Sequence, residues 1–537
     1  MGARKKVWRF ATGDFETDPF KKDRIPKPFC VGIYDGVESW NYWGDDCVEQ
    51  FLKRIQDMPP TIFYFHNGGK FDFHFLIEHF RGKIRIVNRR ILQAKFLHHE
   101  FRDSYAILPV PLAKFNKDEI DYALFEKNER AKHKAKILHY MDNDCRYLFD
   151  AVKTFIEEFP TSRGPKLTMA SAAMSALKQF HSFDTFEAGT DALLRPYYFG
   201  GRNQCFKTGI IKGDFTLYDV NSMYPYAMKT FTHPIGTPSD FGGTRINKKT
   251  YFATVEGTNY GALPQRMPNG SLSFVQESGT FFATIHELNM AEQTGTFKIN
   301  KVISTIEFNK VGNFAEFVDH FYDKRMEAVR IEGKSGPHVT LYKLISNGAY
   351  GKFAQDPSRF MDYEITDNEI PDGDNWLPCE EIYNYIIWEK PTKEVFGNSY
   401  FNVATGASIT GASRALLLEG ISKADTPLYC DTDSIICKSL KLPQGNELGQ
   451  WKIEAHCNKV AIAGKKTYAL FDGAECVKQA SKGVRLNPQQ IVAAALGEEV
   501  EYANPVPNFR LRINNFATGI TSSGKANFVT RRIKRTV

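Results

Sequence analysis

The sequence predicts a multidomain α/β and α+β protein, with an α/β domain first. Three observations predict this. The chain has 537 residues, room for about three to five domains at roughly 100–200 residues each. It is 42% hydrophobic and 24% charged, the composition of an ordinary globular protein, which excludes a mainly disordered chain and a short disulfide-stapled scaffold. Strand-like and helical hydrophobic patterns alternate over residues 1–160 and are mixed thereafter.

KVWRFATGDFET and PFCVGIYDG read as strands, and PPTIFYFHN as a short buried strand. DNDCRYLFDAVKTFIEEF has apolar positions at helical spacing. SRGP (162–165) punctuates the chain, and the small-residue helix LTMASAAMSALKQF follows. Residues 209–228 read as a strand, a turn and a helix; 229–310 hold many Gly, Pro and Thr with short strand-like runs. AEFVDHFYDKRMEAVRIEGK reads as a helix, broken by SGP (335–337), with a second helix from near Val339, so an antiparallel pair is expected. Residues 355–400 read as irregular, PLYCDTDSIICK (427–438) as a hairpin, and GKKTYAL (464–470) as a strand.

Charge and cysteine usage narrow the function classes. Net charge is +7, and from Arg510 onward there are seven Lys or Arg and no acid, which suggests an anionic partner such as nucleic acid. A solvated tail is the plainer alternative. The nine Cys form no CxxC pair, which argues against zinc knuckles and a disulfide framework and favours a reducing compartment. No stretch approaches the ~20 apolar residues of a membrane span, and MGARKKVWRF has no apolar signal region, so a cytoplasmic protein is expected.

Two groups of carboxylates carry the chemistry. Asp14 and Glu16 lie two apart on a strand and share a face; Asp72 lies in NGGKFDF; Asp144 follows Tyr140 by one helical turn. Hard divalent cations need several carboxylate oxygens, and two such ions can activate a water for phosphodiester hydrolysis. Alone, any one of these acids could be a surface residue. Further along, Asp219 ends a strand in LYDVNSMYP, and Asp431 and Asp433 sit at a hairpin tip in YCDTDSI, suiting a second paired-metal site for nucleotidyl transfer. Lys343, Asn347 and Tyr350 recur at i, i+4 and i+7, giving one helix face a phosphate-binding charge and a stacking ring.

In the order GDFET, HNGGKFD, YMDND, YYFGG, DVNSMYP, KLISNGAYG, TGASR, YCDTDS, KKTY, the chain resembles the family B DNA polymerases over residues 12–468, and more closely their protein-primed branch. The resemblance implies an RNase H-like 3′–5′ exonuclease domain followed by a right-hand polymerase domain of palm, fingers and thumb. In the exonuclease, Asp14, Glu16, Asp72 and Asp144 would bind metals and Tyr140 would orient the water. Asn67, Phe71 and Ser104 would grip the frayed primer, and Lys117 would assist. In the polymerase, Asp219 and Asp433 would bind metal with the carbonyl of Val220, and Asp431 would assist. Tyr224 would be the steric gate against ribonucleotides, with Ser222 and Met223 beside it. Lys343 would hold the triphosphate with Arg330 or Lys334, while Asn347 and Tyr350 face the nascent pair. Tyr198, Gly200 and Gly201 would form the loop that lets template backbone approach. Thr410, Arg414, Lys466 and Tyr468 would contact the primer strand.

The domain boundaries implied are an exonuclease at 1–160, a junction at 161–208, palm at 209–228 and 401–470, and fingers at 316–355. A first terminal-protein-region insertion would occupy 229–315, a second 356–400, and the thumb with its basic tail 471–537. Two Mg²⁺ per site, replaceable by Mn²⁺, are implied as cofactors. Primer–template DNA, deoxynucleoside triphosphates and a terminal (priming) protein are implied as partners, with no membrane and a monomeric enzyme. Strand-displacing replication of a linear genome would follow. A polymerase using only nucleic-acid primers, a nuclease whose second half only binds DNA, and a catalytically silent DNA-binding scaffold are the alternatives. Three departures from the family stand out: Gly348 where Ser is usual, Tyr105 where Leu is usual after Ser104, and an extra residue in HNGGKFD relative to the shortest version.

Overall fold

The computed structural model describes residues 8–19, 26–88, 90–112, 118–160, 164–382, 385–392, 400–482, 486–503 and 528–531. The N-terminal part contains β1 (Phe10–Thr17), β2 (Pro28–Tyr34), β3 (Ser39–Trp43), α1 (Cys47–Gln56), β4 (Ile62–Phe65), β5 (Gly82–Val87), β6 (Arg90–Phe96) and β7 (His99–Asp103). The helices α2 (Lys134–Glu158) and α3 (Met169–Phe180) follow. β1 is antiparallel to β2, and β2 to β3; β1 is parallel to β4, and β4 to β7. β1 is buried on both faces, as a central strand must be. Phenylalanine fills this core: Phe15 stacks on Phe65 at 5.7 Å, and Phe51, Phe63, Phe73 and Phe101 close around them. Each such ring contributes roughly 1.5–3 kcal/mol by leaving water. α2 is fixed on the sheet by the hydroxyl of Thr12, which donates to the carbonyl of Cys145 at 2.7 Å inside the core. That bond sets Asp144 over Asp14.

The chain continues through α4 (Ala188–Leu194), β8 (Asn203–Cys205), β9 (Gly209–Val220) and α5 (Met223–Thr230). Residues 229–310, expected as short strand-like runs, form a four-stranded antiparallel sheet instead. Its strands are β10 (Pro238–Gly243), β11 (Thr250–Tyr260), β12 (Gln276–Thr284) and β13 (Phe297–Phe308), in the order β10-β13-β11-β12, with α6 (Ile285–Gln293) packed on it. The long strands were hidden in the sequence because β13 exposes Lys298 through Lys301 in succession, which erases its period of two.

α7 (Ala315–Glu332) and α8 (Pro337–Gly348) form the antiparallel pair expected, although α8 starts at Pro337, where proline suits the first helical position. α9 (Tyr350–Phe353) follows after Ala349. The stretch 355–400, expected to be irregular, contains β14 (Met361–Thr366), β15 (Leu377–Ile382) and β16 (Tyr385–Pro391). β14 pairs with β5 through Tyr363–Ile84, Glu364–Lys83 and Ile365–Gly82. The N-terminal sheet thereby reaches ten strands, in the order β15-β16-β14-β5-β6-β7-β4-β1-β2-β3. Tyr363, Ile365, Tyr385 and Ile387 are buried in the same core as Phe63 and Phe101. This segment folds on a partner almost three hundred residues upstream, so local sequence carried no sign of it.

α10 (Val403–Lys423) is buried along most of its length, its Thr405, Ser408, Thr410, Ser413 and Arg414 included. β17 (Tyr429–Asp431), β18 (Ser434–Cys437), β19 (Trp451–Gly464), β20 (Thr467–Asp472) and β21 (Glu475–Ser481) complete a seven-stranded sheet, ordered β21-β20-β19-β9-β18-β17-β8. α11 (Pro488–Ala495) begins with a capping box between Asn487 and Gln490. Strands Val500–Ala503 and Phe528–Arg531 pair; the rest of the basic tail lies outside the described residues. Among the described residues, no helix is long and apolar enough to cross a membrane.

Candidate active sites

β1 and α2 build the first site. Carboxylate oxygens of Asp14, Glu16 and Asp144 all lie within 4.8 Å of one another. Asp72, in the short turn-helix after β4, is 2% exposed; burial and then the charge of Asp14 push its carboxyl well above the usual range. Tyr140 lies one turn before Asp144, and burial, the Tyr122 hydroxyl and Asp144 all raise its phenol. A cleft beside the acids is lined by Gly13, Asp14, His66, Leu112, Asp144 and Leu148. Asn67 and Phe71 are half-buried in the loop after His66, and Asn67 takes the left-handed conformation that Asn tolerates. Ser104 does not reach the cleft: it is fully buried, bonded to the carbonyl of Phe65 at 3.2 Å and to Nδ1 of His66 at 3.0 Å. His66 is thus the group that Ser104 offers to the site, and it stood in plain view in HNGGKFD. Lys117 lies outside the described residues.

β9 and the β17–β18 hairpin build the second site. Asp219 pairs across the sheet with Ser434, and the backbone N–H of Val220 donates to the carbonyl of Asp433 at 2.8 Å. The hairpin turn is tight: Thr432 has φ of 60°. Burial, with Asp219 and Asp431 nearby, pushes the carboxyl of Asp433 up to about 7. Burial also raises Asp219, against the ammonium of Lys452 at 3.4 Å. Asp431 is held by Lys466, whose Nζ lies 2.6 and 2.7 Å from its two oxygens. Lys465 and Lys466 are not on a strand, as expected, but in the β19–β20 turn, where Lys466 has φ of 58°. Tyr468 is on β20, its ring 5.1 Å from that of Tyr429.

Tyr224, in the first turn of α5, lies against Tyr350 of α9. Gly201 is required beside it: a Cβ there would stand 2.8 Å from Thr432 Oγ1 and 3.2 Å from the Tyr224 hydroxyl. Ser222 lines the cavity described next, whereas Met223 is 1% exposed and packs into the sheet core, so its side chain does not face a nucleotide site. A small cavity opens between α5, α7 and α8, lined by Ser222, Tyr322, Arg325, Lys343, Ser346 and Asn347 among others. The Asn347 amide donates to the carbonyl of Lys343 at 2.9 Å. Arg330 and Lys334 are exposed and outside this lining. Arg325 lines it instead; its Nε is buried without a hydrogen-bond partner, and burial lowers its guanidinium. Val318, Tyr322 and Arg325 share one helix face at i, i+4 and i+7, the spacing that picked out Lys343, Asn347 and Tyr350.

Thr410 and Arg414 were expected at primer phosphates, yet they are 2% and 3% exposed. The Thr410 hydroxyl donates to the carbonyl of Ala407. Arg414 pairs with Glu287 of α6 at 2.7 Å and donates to the carbonyls of Phe199 and Gly200 at 2.5 and 2.9 Å. It is committed to the loop that carries Tyr198, Gly200 and Gly201 and is turned away from the surface.

Both clusters fit divalent cations. Their donors are hard carboxylate oxygens, and Asp72 Oδ1 is buried with no hydrogen-bond partner, a position that costs about 1–3 kcal/mol unless something fills it. The burial and neighbouring charge that raise Asp433 to about 7 are likewise a cost that bound cations would reduce.

The family model described as "DNA polymerase type B, organellar and viral" matches residues 114–435. The DNA-directed DNA polymerase of Enterobacteria phage PRD1 is 50% identical over 499 residues, covering 91% of this chain and 88% of that protein. The DNA polymerase of Bacillus phage B103 is 24% identical over 595 residues, covering 95% of each. In fold, the chain is similar to phi29 DNA polymerase complexed with primer-template DNA and incoming nucleotide, with a TM-score of 0.69 at 19% identity over 93% of this chain and 96% of that one.

Proposed function

Because this chain belongs to the protein-primed family B DNA polymerases, the type of the PRD1 and phi29 enzymes, we propose that its β9–hairpin cluster performs the synthesis and its β1–α2 cluster the proofreading. The observation that carries the first assignment is the meeting of Asp219, at the end of β9, with Asp433, in the turn that leads into the adjacent strand β18, with Arg325, Lys343 and Ser222 lining a cavity nearby.

In synthesis, a primer 3′-hydroxyl oxygen bonds to the α-phosphorus of a deoxynucleoside triphosphate as pyrophosphate leaves. Asp219 and Asp433, with the carbonyl of Val220, would hold divalent cations, Mg²⁺ or Mn²⁺, which supply charge neutralisation and make the hydroxyl more acidic. Lys343 and Arg325 take up triphosphate charge, Asn347 and Tyr350 face the new base pair, and Tyr224 bars a 2′-hydroxyl. Lys466 and Tyr468 steady the primer strand from the β19–β20 turn. Asp431 keeps Lys466 in place, which moves it from assisting the cations to orienting a lysine.

The N-terminal domain, with β1–β3 antiparallel and β4 and β7 parallel to β1, supports the RNase H-like exonuclease reading. Asp14, Glu16, Asp72 and Asp144 would hold its cations, Tyr140 orients the attacking water, and Asn67 and Phe71 grip the frayed end with His66 behind them. The segment 229–315 exposes Phe241, Ile299 and Ile303 on its own sheet, which supports a terminal-protein contact there. The segment 356–400, anchored on β5, supports a clamp for strand displacement on a linear genome. The enzyme would act as a monomer in the cytoplasm of the cell that hosts the genome.

Separation of the two activities tests the assignment. Asp433→Ala should abolish extension and leave primer shortening intact; Asp14→Ala with Asp72→Ala should do the reverse. Loss of both activities from either folded variant would refute two independent sites.

A further inference from the structure

Arg202 is a buried cation with no duty in the chemistry above. It is 3% exposed, and no ion pair to a carboxylate is found for it among the described residues. Its Nε and Nη2 donate to Gln204 Oε1 at 3.1 and 2.6 Å, and Nη1 is buried without a hydrogen-bond partner. A guanidinium kept so dry is costly unless another group compensates it. The Cys430 thiol offsets part of this, and the rest of the compensation is aromatic: the guanidinium carbon lies 4.5 Å from the ring centroid of Phe274, where a desolvated cation–π contact is strongest.

Phe274 comes from the 229–315 segment, at the foot of a small hairpin that pairs Gln265–Arg266 with Leu272–Ser273. The hairpin grips the polymerisation site at two other points. Arg266 Nη2 donates to the carbonyl of Tyr198 at 2.8 Å while its guanidinium covers Phe199, and Lys465 Nζ donates to the carbonyl of Leu272 at 3.0 Å. The main chain of Arg202 carries the contact onward. Its carbonyl accepts the N–H of Thr432 at 2.6 Å, and the next residues pair with the hairpin as Asn203–Asp431 and Gln204–Cys430. Thr432 is the left-handed residue between the two aspartates, so its conformation depends on such outside bonds.

We propose that Arg202 is a positioning residue for synthesis and that Phe274 holds it, so that the 265–274 hairpin sets the placement of Asp431 and Asp433 on the far side of the β17–β18 turn. This rests on the assignment of synthesis to Asp219 and Asp433. The insertion then acts directly on the polymerisation site, and whatever lifts its hairpin slows synthesis while sparing the distant β1–α2 cluster.

The test uses the full chain with Mg²⁺, a primer–template and single deoxynucleotides, and compares Phe274→Leu, Phe274→Trp and Arg202→Met. Phe274→Leu keeps the bulk and removes the ring face; it should lower kcat about tenfold, leave KM for the nucleotide within about twofold and leave single-strand degradation unchanged. Phe274→Trp should restore kcat. A Phe274→Leu enzyme with parental kcat and thermal midpoint overturns the proposal, as does a loss confined to KM, which would make the hairpin a substrate contact, or an equal loss of degradation, which would make it a general prop. Should Arg202→Met fail to fold, the two Phe274 variants decide alone. Asp433→Ala runs alongside: if that variant still extends primers, the site assignment itself has failed, a result separate from any outcome at Phe274.

Discussion

The rings of Tyr224 and Tyr350 stack face to face, with centroids 4.0 Å apart and planes 11° from parallel. One comes from α5 beneath the sheet's catalytic end, the other from α9 at the end of the α7–α8 pair. Their hydroxyls hydrogen-bond, and burial raises both phenols. Offset-stacked and edge-to-face ring pairs contribute roughly 0.5–1.5 kcal/mol beyond their buried area, and a face-to-face pair less, small enough for a nucleotide to displace.

Tyr224→Val removes the ring that stands over Gly201. Ribonucleotide incorporation relative to deoxynucleotide should rise at least about tenfold, one decade being about 1.4 kcal/mol of discrimination. Competition assays with paired ribo- and deoxynucleotides read this ratio, and an unchanged ratio would remove Tyr224 as the gate.

Arg325 and the pair Arg330 and Lys334 compete for the same assignment. Arg325 lines the cavity with Lys343, whereas the other two are exposed. Arg325→Ala should raise KM for deoxynucleotides about tenfold or more, since a charged hydrogen bond contributes about 1.5–3 kcal/mol. Arg330→Ala with Lys334→Ala should change KM less than about twofold. The reverse order of effects would return the triphosphate to the end of α7.

Lys352 offers a pH test away from both clusters. It is 8% exposed, and burial pulls its amine from 10.5 down to about 8. Its Nζ donates to the Tyr400 hydroxyl at 2.8 Å and to Gln355 Oε1 at 3.0 Å. Between pH 8 and 10.5 the unfolded chain holds this proton and the folded chain does not, so stability rises with pH across that window. Below pH 8 the burial penalty is present in full, on the order of 3 kcal/mol. Lys352→Met should therefore be more stable than the parent at pH 7, and the gap should close by pH 10.5. Denaturant midpoints at the two pH values measure it; a gap that stays constant would contradict the argument.

The carboxylates were legible in the sequence because each sits in a short string whose geometry is local. Asp14 and Glu16 share a strand face, Tyr140 and Asp144 a helix face, and the DTD turn is a hairpin tip. Groups whose partners are distant in sequence were not legible. Arg414 looked like a phosphate ligand because its partner Glu287 lies 127 residues away. Lys466 looked like a strand residue because its left-handed turn is set by Tyr429 and Asp431. β14 was invisible because its strand partner is β5. Gly348, the departure from the family's Ser, turns out to be under no steric demand: the nearest atom to a Cβ there is Ala173 Cβ at 3.4 Å, an ordinary contact.

The most direct measurement uses a 5′-labelled primer on a template that also carries a blocking strand downstream, with purified protein and Mg²⁺, with and without deoxynucleotides. Shortening of the primer without nucleotides, and extension through the blocking strand with them, is the result expected of an enzyme with both sites and a displacing clamp. Shortening under both conditions, with no extension, would contradict the assignment of synthesis to Asp219 and Asp433.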